Sequence, residues 1–295
     1  MISFSKEDLK KLWKPKSDSS GEDNGQVTII GGSSLFHGAP LLAIKAASRM
    51  VDMVFFSSPE PEMGEISKFK SELSSFIWVP WTEVEEYVRK SDAVLIGPGL
   101  MRFHKENGRA EVLRSIKEDG VFDDKGTETR SITKYLLQKY PDKKWVIDGG
   151  SLQVLDSLWI PNGSVLTPNK KELEILFKLQ NNSVEKIEEV AKEFNCVICD
   201  KGPTSYVTDG QTTYEITGGN AGLTKGGTGD TLAGMTVGLL AKNSSLLSAA
   251  AAAFVVKKTA EALYEKVGYN FNADDVADEV FATLFKLAKE SDSKQ

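Results

Sequence analysis

Short apolar runs alternate with segments of helical spacing along almost the whole chain. The runs at 27–30, 53–57, 76–79, 93–96, 145–147, 164–166, 196–199, 205–208 and 213–217 read as strands. Segments at 39–51, 83–90, 127–139, 170–179, 184–194, 230–241, 246–267 and 274–289 read as helices, those at 170–179 and 184–194 with solvated Lys/Glu faces over apolar stripes. A shorter helix is predicted at 5–13, with Ser5 as its N-cap. Strands apolar on nearly every residue, separated by helices, predict a mostly parallel sheet covered on both faces. The runs at 205–208 and 213–217, joined by Asp209-Gly210, predict a hairpin at the sheet edge. Residues 16–25 form a polar loop. The longest later polar stretch, 102–129, reads as an excursion from one domain, not a linker between two. No internal repeat is visible, and residues 1–295 are expected to form a single domain.

Composition narrows the function classes. With 40% apolar and 26% charged residues, the 295-residue chain has the make-up of a globular protein with a real core. A net charge of -6 disfavours binding to a nucleic-acid backbone. No apolar stretch approaches the length of a membrane span. The longest, around 249–256, is followed at once by Lys257 and Lys258 and reads as a buried helix. Lys6, Asp8, Lys10 and Lys11 stand where a secretion signal would be apolar, so a cytoplasmic location is expected. Cys196 and Cys199 resemble a redox or metal pair. On a strand, however, side chains three apart face opposite sides, and His37 and His104 do not match a ligand spacing. Both cysteines are expected in the core, and no protein-held metal site is expected.

Five predicted strands end in small or polar turns: Gly31-Gly32-Ser33-Ser34, Gly97-Pro98-Gly99, Asp148-Gly149-Gly150, Thr167-Pro168-Asn169 and Asp200-Lys201-Gly202. Open parallel sheets bind ligands at the carboxyl ends of their strands, so these turns would line one rim. The most informative segment is 218–234, with seven glycines in seventeen residues, leading into the helix predicted from Asp230. Glycines allow close backbone approach, and a helix N-terminus attracts phosphate. A Walker loop is excluded because Lys225 is followed by Gly226, and a dinucleotide fingerprint because Leu232 replaces its third glycine. What remains is Gly227-Thr228-Gly229-Asp230, an anion hole beside a carboxylate able to deprotonate a hydroxyl that attacks a phosphoryl group. An aspartate that merely caps a helix is the plainer alternative, but so many glycines cost an ordinary loop too much backbone entropy.

Gly219-Asn220-Ala221-Gly222-Leu223, followed by Gly226-Gly227-Thr228-Gly229-Asp230-Thr231-Leu232-Ala233-Gly234, resembles the ADP/ATP-dependent NAD(P)H-hydrate dehydratases. These belong to the ribokinase-like superfamily and are related to kinases of thiamine-precursor alcohols. Weaker matches occur in the right order at Ile30-Gly31-Gly32-Ser33, Gly38-Ala39-Pro40-Leu41-Leu42, Ile96-Gly97-Pro98-Gly99-Leu100, Val165-Leu166-Thr167-Pro168-Asn169 with Glu172, and Asp200-Lys201-Gly202. The resemblance implies an α/β three-layer sandwich and a nucleotide-dependent repair of hydrated NADH or NADPH. It implies Asp230 as the catalytic base, with Ala39, Gly99, Asn169 and Asp230 against the hydrated nicotinamide nucleotide. Lys201, Gly202, Pro203, Thr204, Ser205, Gly227, Thr228 and Gly229 would hold ADP or ATP, with Mg²⁺ arriving on the phosphates.

Departures fall on the substrate side. Asn169 stands where the family usually has His, Asp148-Gly149-Gly150-Ser151 replaces an Asp-Ala-Asp-Ala string, and Met101 replaces a glycine. An alcohol kinase of the same fold and a non-catalytic nucleotide sensor therefore stay open. So do a phosphate-facing role for His37, a metal- or water-facing role for Asp148, and a phosphate contact for Lys225. The expected partners are the hydrated dinucleotide and the adenine nucleotide, with no nucleic acid or membrane partner; a homo-oligomer stays open.

Overall fold

The computed structural model describes residues 1–60, 73–103, 124–179 and 181–292. Ten strands form one sheet: β1 (Ile2–Ser3), β2 (Gln26–Ile30), β3 (Met53–Ser57), β4 (Ile77–Trp78), β5 (Ala93–Ile96), β6 (Lys144–Ile147), β7 (Val165–Leu166), β8 (Val197–Asp200), β9 (Ser205–Thr208) and β10 (Thr213–Ile216). Their spatial order is β1-β10-β9-β8-β7-β6-β5-β2-β3-β4. Every neighbouring pair is parallel except the two that β9 makes, with β8 and with β10.

Successive strand residues point to opposite faces, and both faces are apolar. Val27, Ile29, Ala93, Leu95 and Val146 join one core. That core is covered by helices α1 (Gly38–Ala47), α7 (Thr228–Leu240), α8 (Ser245–Val267) and α9 (Ala273–Asp292). Ile30, Val94, Ile96, Trp145 and Ile147 join the other. Over it lie α2 (Val84–Lys90), α3 (Asp124–Lys139), the short α4 (Gly149–Val154), α5 (Lys170–Phe177) and α6 (Val184–Glu193). Each fully buried aliphatic side chain contributes about 1.5–3 kcal/mol relative to water, so both helical layers are held by the strands' alternation. The same alternation separates the cysteines. Cys196 lies in the second core and Cys199 in the first, both as free thiols pushed up to about 12 by burial.

Several elements differ from expectation. The hairpin is not outermost, because Ile2 pairs with Tyr214 and puts β1 at the edge; two residues are too few to show periodicity. The segment at 5–13 is a 3₁₀ helix, Lys6–Lys11, in which the Ser5 amide and hydroxyl donate to Asp8 Oδ2 at 2.9 and 3.1 Å. Helix α1 ends at Ala47, four residues early. The turn after β6 continues into α4. His104 and residues 104–123 of the polar excursion lie outside the described residues.

The placement of α7 depends on one close approach. A Cβ on Gly234 would lie 2.2 Å from the Ala43 carbonyl oxygen, so α1 and α7 pack backbone to backbone there. This seats the N-terminus of α7 at the rim of the sheet.

Candidate active site

The five turns do share one rim, joined by main-chain hydrogen bonds. Gly32 N donates to Pro98 O at 2.8 Å, Gly150 N to Gly97 O at 3.0 Å, and Lys201 N to Pro168 O at 2.9 Å. A parallel bridge between Asn169 and Lys201 extends the β7–β8 pairing beyond the strands.

Side chains complete the links. Asp148, buried at the end of β6, accepts on Oδ1 from Thr167 Oγ1 at 2.7 Å and from Lys201 Nζ at 3.0 Å. Burial works against the Lys201 charge, but Asp148 and then Glu172 outweigh it, and the ammonium stays above its ordinary pKa. A Cβ on Gly229 would sit 3.4 Å from Lys201 Nζ, so this cation stands at the mouth of α7. Asn169 caps α5. Its Oδ1 accepts from Glu172 N at 3.0 Å while its own N–H donates to Glu172 Oε2 at 2.8 Å. Glu172 Oε1 accepts from Gln153 Nε2 at 2.9 Å.

Helix α7 begins after Gly227, whose φ of 94° puts it in the left-handed region that a side chain resists. The amides of a helix's first turn lack intrahelical partners, so this end presents N–H groups and a partial positive charge. Asp230 is the third residue of the helix. Burial pushes its carboxyl up to about 7; Asp148 adds to the rise and Lys201 opposes it. The Thr228 hydroxyl donates to Leu223 O at 2.7 Å and Lys225 O at 3.0 Å, which pins the preceding loop.

A cavity of about 820 Å³ opens beside this turn. Of the residues singled out from sequence, Asn169, Lys201, Gly202, Pro203, Ser205, Thr228 and Gly229 line it. Leu223, Leu232, Ala253 and Val256 supply its apolar wall. Ala39, Gly99, Thr204, Gly227 and Asp230 are not among its lining residues. Gly99 belongs to a separate turn, where a Cβ would lie 2.2 Å from Phe36 O and 3.2 Å from Gly32 Cα. Ala39 is half-buried in the first turn of α1, and His37 is exposed at that helix's N-cap position.

Two lysines differ from their sequence reading. Lys225 does not reach toward the rim: its ammonium donates to the carbonyls of Tyr269 and Phe271 and lies over the Phe271 ring. Lys257, read only as the end of an apolar run, is buried in the cavity wall. The only signal for it was a lysine directly after an uninterrupted buried helix.

The fold is ribokinase-like. It is similar to a ribokinase-like superfamily protein of Enterococcus faecalis (TM-score 0.79, 22% identity, 98% of this chain and 96% of that one). It is also similar to the Bacillus subtilis ADP/ATP-dependent NAD(P)H-hydrate dehydratase co-crystallised with ATP/Mg²⁺ (TM-score 0.71, 20% identity, 98% of each). A family model described as NAD(P)H-hydrate dehydratase matches residues 27–281. The ADP-dependent (S)-NAD(P)H-hydrate dehydratase of Nitrosopumilus maritimus is 30% identical over 91% of each chain. The chain also matches bifunctional NAD(P)H-hydrate repair enzymes, of which it spans about half the length. The chain belongs to the NAD(P)H-hydrate dehydratase family.

Proposed function

We propose that the protein uses ADP or ATP to dehydrate hydrated NADH or NADPH. The observation that carries the reading is Asp230, a half-buried carboxyl raised to about 7, in the first turn of α7 beside the Lys201 ammonium. A base needs a pKa near the working pH, and an aspartate in water would be far too weak.

In this reading the nucleotide occupies the 820 Å³ cavity, with its phosphates toward Gly227, Thr228, Gly229 and Lys201. Gly202, Pro203 and Ser205 border the rest of it, and Thr204 lies in the same turn. The hydrated ring lies on the side of Ala39, Gly99 and Asn169. Asp230 takes the proton of the ring hydroxyl as its oxygen bonds to the terminal phosphorus and the bond to the shortened nucleotide breaks. The N-terminal amides of α7 and Lys201 hold the charge that builds on the phosphoryl oxygens. The ring nitrogen's lone pair then expels phosphate, and loss of a proton from the neighbouring ring carbon restores the double bond.

The donor set suits a magnesium ion carried by the nucleotide. Among the described residues no group of three or more His, Cys, Asp or Glu side chains could hold a metal, while Asp148, paired with Lys201, offers a carboxylate by the phosphate end. A Mg²⁺ bound through phosphates and water needs no more than one or two such groups. When bound, it would offset the charge of the phosphate oxygens. Among the described residues no helix is long and apolar enough to cross a membrane. The reading includes a cytoplasmic location, with the hydrated dinucleotide and the adenine nucleotide as small-molecule partners.

The test is to mix the protein with hydrated NADH or NADPH, Mg²⁺ and either ADP or ATP, and follow the dihydronicotinamide absorbance. Its return, with one phosphate released per turnover, is the expected result. A stable phosphate ester would instead identify an alcohol kinase, and nucleotide binding without turnover a sensor.

A further inference from the structure

Lys257 lies in α8 and is 5% exposed, an unusual place for an ammonium group. Its Nζ donates to Gly202 O at 2.8 Å, Pro203 O at 2.6 Å and Gly218 O at 3.2 Å. An ammonium has three donors, and these three carbonyls match them. The carbonyls come from two different loops, the turn after β8 and the glycine-rich segment after β10, and both border the cavity. Neighbours on α8 hold the second loop as well: Glu261 Oε1 accepts from Gly219 N at 2.9 Å, and Ala260 O from Asn220 Nδ2 at 2.7 Å.

Glu261 is the acidic group that supports the Lys257 charge, and it is already engaged by Lys258 at 2.7 Å and by Gly219. Burial dominates and lowers the Lys257 pKa. A methionine would fill the same volume without the desolvation cost of a charge. What only the ammonium supplies is a three-way tie between main-chain carbonyls.

We propose that Lys257 is a positioning residue for the nucleotide: by tying Gly202 and Pro203 to Gly218, it sets the separation of the two loops between which the nucleotide sits. This rests on the assignment of the cavity to ADP or ATP. Without the tie the loops separate, and binding energy goes into drawing them together. The chemistry at Asp230, on a different helix, does not depend on it.

The test is calorimetric titration of ADP and ATP into wild type and Lys257→Met, with steady-state kinetics on hydrated NADH. Expected are nucleotide binding and nucleotide KM weakened about tenfold or more, as for loss of charged hydrogen bonds, with kcat at saturating nucleotide and the hydrate KM within about twofold. Should Lys257→Met not fold, Lys257→Gln, uncharged but still polar, is expected to weaken nucleotide at least about threefold. Nucleotide affinity unchanged in the variant that folds, or a fall in kcat alone, overturns the inference. Wild type that binds neither ADP nor ATP overturns the nucleotide assignment itself.

Discussion

Lys201 Nζ lies 3.0 Å from Asp148 Oδ1, spanning β7 to join the carboxyl ends of β8 and β6. Thr167, at the end of β7, donates to the same oxygen. One carboxylate thus draws three strand ends together and holds the cation that stands against Gly229.

Removing that cation has two consequences. Lys201→Met leaves the 5%-exposed Asp148 side chain without its counter-charge, a loss of about 3 kcal/mol. Chemical denaturation should show a lower midpoint with an unchanged slope. The same variant should lose turnover well beyond its loss of stability, measured where both proteins are fully folded.

The pKa of Asp230 sets a pH dependence of both activity and stability. Its carboxyl sits at about 7 in the folded protein against 3.8 in the unfolded chain. Below about 7 the base is protonated, so turnover should rise with pH through that value in a pH–rate profile. Stability runs the other way. Between 3.8 and 7 the unfolded chain releases a proton that the native state retains, so this group's contribution is full below 3.8 and lost as pH rises to 7. Asp200, raised to about 6 by burial, adds in the same direction. Asp230→Asn should therefore melt at least about 2 °C above wild type at pH 7.5, and the gain should vanish near pH 4.

Much of this arrangement is visible in the sequence because burial on both faces imposes apolar runs. Strands 53–57, 93–96 and 205–208 match their sequence boundaries. The glycine-rich segment and the rim turns are legible because main-chain conformation and close approach restrict the residue types allowed there. The seven glycines have mixed causes, however. Gly218, Gly219 and Gly227 take positive φ, while Gly222 and Gly234 make room for Phe271 and Ala43. The tie from Lys201 to Asp148, the burial of Lys257 and the capture of Lys225 by the 269–271 backbone are tertiary pairings with no periodic trace. β1 is too short to leave one.

The contact of α1 with α7 has no slack. Gly234→Ala puts a methyl 2.2 Å from the Ala43 carbonyl oxygen, so the helices must separate. The expected loss is about 1–3 kcal/mol by equilibrium unfolding, although alanine favours helix more than glycine does.

The cysteines should be inert in the native state. Cys196 and Cys199 are buried on opposite faces with thiols raised to about 12. Alkylation at pH 8 should follow the unfolding rate, and oxidation should not join the pair within the folded chain.

The most direct measurement compares Asp230→Asn with wild type for ADP and ATP binding and for recovery of dihydronicotinamide from hydrated NADH. Turnover should fall by about 10²–10⁴-fold, the usual contribution of a positioned base, while nucleotide binding stays within a few-fold. Turnover near the wild-type rate in a variant that still binds nucleotide would contradict the role of Asp230 and the mechanism built on it.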